Sequence, residues 1–191
     1  VGSNAMNTSS NDVTLWGETV NDYDGGAIWI SSSNAPFELN DVYFEHNIYQ
    51  NGAIYHARPL VINNSKFRFN KSNANTVLQT AQPITVRNTL IEGNHVTGKK
   101  DFFLTGSTTD APSIFENITQ VDNHYEGELV TFHFIEASDY AKISIRNSVF
   151  YPISSLSEHT FNFLNVNGAF ATSSVSNSLV QRVTNTTNGN I

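Results

Sequence analysis

The sequence has no cysteine, which excludes disulfide scaffolds, thiolate metal centres and cysteine nucleophiles. That absence also fits a chain exported unfolded across bacterial membranes. Charge is scarce too: Asp, Glu, Lys and Arg make up 14% of the residues, so the charged, Ala- and Leu-rich look of helical proteins is missing. Only 10 residues are Lys or Arg, and the net charge of -7 leaves no basic patch for nucleic-acid phosphates. No apolar run approaches the roughly 18 residues of a membrane-spanning helix. No polybasic or amphipathic helical stretch marks a membrane surface. No signal peptide is visible, so an export signal would lie outside these residues. Ser3-Asn4-Ala5 ahead of Met6, the only methionine, resembles a cloning scar. What remains is a 191-residue chain, 39% hydrophobic, long enough for one core and rich in Asn, Ser and Thr. Asn is a poor helix former and a good turn former.

The chain repeats itself. The frame is apolar-x-apolar-x-Asn, then an apolar residue three later, then often an Asn six later. Ile84-Thr85-Val86-Arg87-Asn88 leads into Ile91 and Asn94, and Leu60-Val61-Ile62-Asn63-Asn64 leads into Phe67 and Asn70. The anchors are Asp41, Asn64, Asn88, Asn117, Asn147 and Asn177, spaced by 23, 24, 29, 30 and 30 residues. Repeats of this length point to stacked arrays of short strands. The apolar residues alternate with period two and are β-branched or aromatic, which excludes a helical repeat. The expected fold is therefore all-β: a right-handed, single-stranded parallel β-helix, or solenoid, of about six coils. Residues 1–23 read as an irregular or capping segment, 24–182 as the repeats and 183–191 as a tail. Asn at each corner tolerates the left-handed backbone and can bond its stacked neighbours in a sharp, buried turn. These anchors thus read as scaffold.

A further strand follows each corner, as in Gly26-Ala27-Ile28-Trp29-Ile30 and Phe132-His133-Phe134. The steps from each anchor to the next strand centre are nearly constant, which places length variation before the first strand. Gly106–Ala111 and Tyr151–Glu158 read as surface insertions. In this register Trp29, Tyr55, Gln79, Phe103, His133 and Asn162 form one outward column. Rings stacked along such a column would suit the apolar C–H faces of sugars, making it the candidate ligand-binding face. The next outward column, Asn40, Asn63, Arg87, Glu116, Arg146 and Ser176, reads as a surface charge ladder.

No catalytic constellation emerges. Glycoside hydrolysis needs paired carboxylates, and no outward column holds two acids on adjacent coils. Asp101, Asp110, Asp122, Glu136 and Asp139 fall mainly in turns. His56, His124, His133 and His159 are dispersed, with no HxxxH or HExxH spacing. Neither GxSxG nor a nucleotide-binding loop occurs. No metal or cofactor is expected.

Two elements carry a family resemblance. Gly25-Gly26-Ala27-Ile28 and Asn51-Gly52-Ala53-Ile54 form one; Phe44-Glu45-His46-Asn47 and Phe67-Arg68-Phe69-Asn70 form the other, with Ile91-Glu92-Gly93-Asn94 a variant. Over residues 24 to 95 the chain resembles the GGAI and FxxN repeats of polymorphic outer membrane proteins of chlamydiae. These are autotransporter passengers within the pectin-lyase-like superfamily. The resemblance implies an extracellular, cell-surface passenger working in adhesion or as a rigid stalk, with no catalytic residues. Expected partners are a host or matrix protein or a glycan. Carbohydrate binding or degradation is the alternative, and end-to-end self-assembly through open coil edges is another.

Overall fold

The computed structural model describes residues 27–30, 36–49, 52–56, 59–72, 75–80, 82–96, 100–104, 111–125, 131–138, 142–154, 160–167 and 172–180. The segments 1–23 and 183–191 lie outside these residues, as does the Gly25-Gly26 half of the first GGAI element. Among the described residues every regular element is a strand and none is a helix. All strand pairs are parallel, so the protein is all-β with parallel sheets.

The first sheet has six strands, in the order Ile28–Ile30, Ile54–His56, Asn75–Thr80, Lys100–Leu104, Thr131–Ser138 and Thr160–Asn167. Neighbours in this sheet are successive copies of the repeat, so pairing follows the sequence period. The second sheet has thirteen strands and holds the rest of each repeat in three segments. The first segment includes Phe37–Asn40, Leu60–Asn63, Lys142–Arg146 and Thr172–Ser176. The second includes Tyr43–Glu45, Lys66–Arg68 and Leu179–Val180, and the third Ile48–Tyr49, Lys71–Ser72 and His95–Val96. Ile84–Glu92 runs through the first two segments and Ser113–Tyr125 through all three, paired continuously with their neighbours.

Alternation sends every other side chain inward. Leu39, Ile62, Val86, Phe115 and Ile145 form one buried row, and Phe44, Phe67, Ile91, Gln120 and Phe150 another. In-register stacking puts like side chains on top of each other. The Phe44 and Phe67 rings lie 4.8 Å apart and nearly coplanar in orientation, 6° from parallel. Further along, Phe102 and Phe134 from the first sheet meet Phe115 and Phe150 from the second, with centroids 4.4 to 5.8 Å apart. This ring cluster joins the two sheets.

Three expectations need correction. Tyr151–Ser154 is not a surface insertion. It continues the strand Val149–Ser154 and pairs with Val121 to Tyr125. The outward column also breaks. Trp29, Tyr55, Gln79 and Phe103 share one row, but Phe103 pairs with Glu136, and Glu136 with Asn165. His133 and Asn162 pair with each other in the row of Lys100 instead. The cause is that Phe134 and Ile135 are both fully buried, so alternation changes phase between them. Length variation consequently falls on both sides of the anchors, not only before the first strand.

Candidate functional site

The six anchors Asp41, Asn64, Asn88, Asn117, Asn147 and Asn177 all have positive φ, between 49° and 57°. Each sits between the first and second strand segments, where the left-handed backbone turns the chain. Asn and Asp take that conformation at little cost because their short side chains bond locally. Asn117 donates its side-chain amide to Asn88 Oδ1 at 2.9 Å, and Asn88 to Asn64 Oδ1 at 3.1 Å. These side chains are exposed rather than set in a buried turn. The residue after each anchor turns in. Ser65, Thr89, Ser148 and Ser178 each donate a hydroxyl to the carbonyl two residues back.

The buried amides belong to another set: Asn47, Asn70, Asn94 and Asn123, the Asn six residues after each of the first four anchors. Asn47 donates its backbone N–H and side-chain amide to Asn70 Oδ1, both at 3.1 Å. Asn70 does the same to Asn94 Oδ1 at 3.0 and 2.9 Å, and Asn94 to Asn123 Oδ1 at 3.0 and 3.1 Å. Asn123 donates to Asp101 Oδ2 at 3.3 Å, and Gln120 reaches the same oxygen at 3.0 Å. The following repeat has Tyr151-Pro152-Ile153 in this stretch, with no side-chain amide oxygen to accept the next donor. Asp101 therefore ends the ladder.

A second left-handed corner precedes these Asn residues. Its occupants are His46, Phe69, Gly93 and Asp122, with φ of 56°, 54°, 61° and 54°. Gly and Asp suit that backbone, whereas a bulky Phe there is a steric outlier. The His46 and Phe69 rings stack at 5.4 Å and 22°. A Cβ on Gly93 would come within 2.5 Å of Phe69 Cε1, so any side chain there would push the ring aside. The Arg68 guanidinium stands 4.9 Å from the Phe69 ring centre.

Charges on these outward faces are paired. Arg68 bridges Glu45 at 3.3 Å and Glu92 at 2.7 Å, and its pKa is raised, chiefly by the hydrogen bond to Glu92. Glu116 lies between Arg87 at 3.2 Å and Arg146 at 2.9 Å, in the row that also holds Asn40, Asn63 and Ser176. Its carboxyl is held below the usual range, first by the Arg146 hydrogen bond and then by Arg87, against an opposing effect of burial. Asn63 donates to Asn40 Oδ1 at 2.9 Å in the same row. His95 and His124 pack edge-on at 5.3 Å. Among the described residues no three His, Asp or Glu side chains group as metal ligands, and no helix is long and apolar enough to cross a membrane.

Of Trp29, Tyr55, Gln79, Phe103, His133 and Asn162, only the Gln79 side chain is described, and it is half-buried. Apolar exposure gathers elsewhere. The large hydrophobic side chains exposed among the described residues are Tyr43, Phe69, Val149, Tyr151 and Leu179. All five belong to the second strand segment or to the corner that ends it. Val149 pairs with Leu179, and Tyr151 lies two residues along the same face. Tyr43 carries Lys66 Nζ 4.9 Å over its ring. Sequence reasoning missed this face. The available signal was the residue just before each FxxN asparagine, where Gly93 and Asp122 betray a left-handed corner.

Comparison with known proteins finds no matching family model, no matching curated protein and no matching solved structure.

Proposed function

We propose that the chain is a right-handed parallel β-helix of six coils, displayed outside the cell, that acts as a rigid rod with a binding face. The winding is supported by parallel pairing of each repeat with the next in every row, together with the strong right-handed preference of parallel crossovers. Rigidity is supported by a core of stacked rings and a buried amide ladder among the described residues. The observation that carries the binding reading is the confinement of Tyr43, Phe69, Val149, Tyr151 and Leu179 to one face. Exposed apolar clusters rimmed by polar residues mark contact surfaces. The GGAI and FxxN elements favour a cell-surface adhesin over an intracellular role.

Beads coated with the intact chain should adhere to cultured epithelial cells or extracellular matrix more than uncoated beads. Replacing Tyr43, Val149, Tyr151 and Leu179 together by Ser should remove that adherence without lowering the thermal midpoint. Equal adherence by the fourfold variant would overturn the assignment of the face.

A further inference from the structure

Phe69 stands where the fold least rewards it, one repeat after His46 on the same corner. A left-handed backbone costs a side chain with a Cβ about 1–2 kcal/mol. The neighbouring positions of the same corner are Gly93 and Asp122, residues that avoid most of that cost. Burial does not compensate: Phe69 is 44% exposed and His46 is exposed as well. Strain of this kind gathers at binding sites. The rings are also held in place. Phe69 rests over Gly93, stacks on His46 and has Arg68 beside it, so little freedom is left for a ligand to remove.

We propose that the His46–Phe69 corner is a binding subsite for a neutral glycan, with Glu45, Arg68 and Glu92 as its hydrogen-bonding rim. The inference rests on the display-and-binding reading above. Charge selects the ligand. Arg68 is bracketed by Glu45 and Glu92, so the rim carries one positive charge and two negative ones. An acidic polysaccharide would meet net repulsion there. A cationic ligand would compete with the guanidinium already beside the ring. Sugar hydroxyls, in contrast, can donate to the carboxylates and accept from Arg68, while apolar C–H faces lie against the rings. The Phe69 ring is exposed on a corner, whereas an apolar protein anchor needs a pocket to fill. The Tyr43 ring, on the same face beside Glu45, extends the apolar surface.

Affinity electrophoresis of the intact chain through gels holding mannan, amylose, a linear β-glucan or polygalacturonate tests this. The chain should be retarded in at least one neutral gel and not by polygalacturonate. Phe69→Asn should weaken the retardation constant roughly tenfold, the loss expected for one stacking ring. Because Asn suits the left-handed corner, the thermal midpoint of that variant should not fall. His46→Asn should weaken retardation in the same direction. Retardation by polygalacturonate alone, by no neutral gel, or unchanged in Phe69→Asn would overturn the proposal. If coated beads still adhere to cells or matrix while every neutral gel fails, the binding-face reading stands and the glycan subsite falls. Retardation in a neutral gel without adherence leaves the subsite and removes the cell-binding role.

Discussion

Asn70 and Asn88 are one residue type under two sets of constraints. Asn70 is fully buried, donates to Phe44 O at 2.8 Å and to Asn94 Oδ1, and accepts from Asn47. Asn88 is exposed, has φ of 49° and holds its neighbours by single amide contacts. Removing the first orphans several buried groups at about 1–3 kcal/mol each. Asn70→Leu should therefore cost about 3 kcal/mol or more in denaturant unfolding. Asn88→Ala should cost about 1 kcal/mol, the difference in left-handed preference. Similar losses for both would mean that the buried ladder contributes no more than the surface one. Gly93 is constrained twice, by φ of 61° and by the Phe69 ring. Gly93→Ala should lower stability by about 1–2 kcal/mol for the backbone alone. In a Phe69→Asn background the steric part disappears and only the backbone part should remain, which thermal unfolding of the two single variants and the double variant would resolve.

At the scale of the strand, Glu116 ties three neighbouring segments through Arg87 and Arg146. Its folded-state pKa is depressed, so its contribution is present above the unfolded glutamate value of about 4.3 and is lost as pH falls through the folded value. The stability gap between the wild type and Glu116→Gln should be widest near neutrality and close in acid. A gap that persists unchanged through the acid limb would show that the loss is steric. The strands also explain what was legible beforehand. Asp41, Asn64 and the other anchors could be read because a left-handed corner restricts residue type, and inward rows such as Ile62, Val86 and Phe115 because alternation is a local pattern. The phase change at Phe134 and Ile135 could not be read, since both flanking stretches alternate equally well. The second corner was only half marked: Gly93 and Asp122 suit a left-handed backbone, whereas His46 and Phe69 share the geometry without that side-chain signal. Which Asn set is buried depends on the neighbouring repeats, and no single repeat carries that information.

For the molecule as a whole, stability should reside in contacts between neighbouring repeats. Phe134 touches Phe102 in its own sheet and Phe115 and Phe150 in the other. Phe134→Ala should cost about 3–5 kcal/mol. Amide hydrogen exchange should then accelerate at both Ile135 and Ile145. Acceleration at Ile135 alone would mean the sheets open independently.

The buried ladder has a direction, and the direction sets an order in time. Asn47, Asn70 and Asn94 each give their main-chain N–H to an oxygen that lies later in the sequence. A chain emerging N-terminus first thus carries, at its newest Asn, an amide whose acceptor has not yet been made. Each repeat is finished only by its successor, and a stalled chain is left with an unfilled demand at its leading edge. At Asn123 the side-chain amide turns back to Asp101, a residue already in place. Growth along the Asn ladder is thus vectorial up to that point.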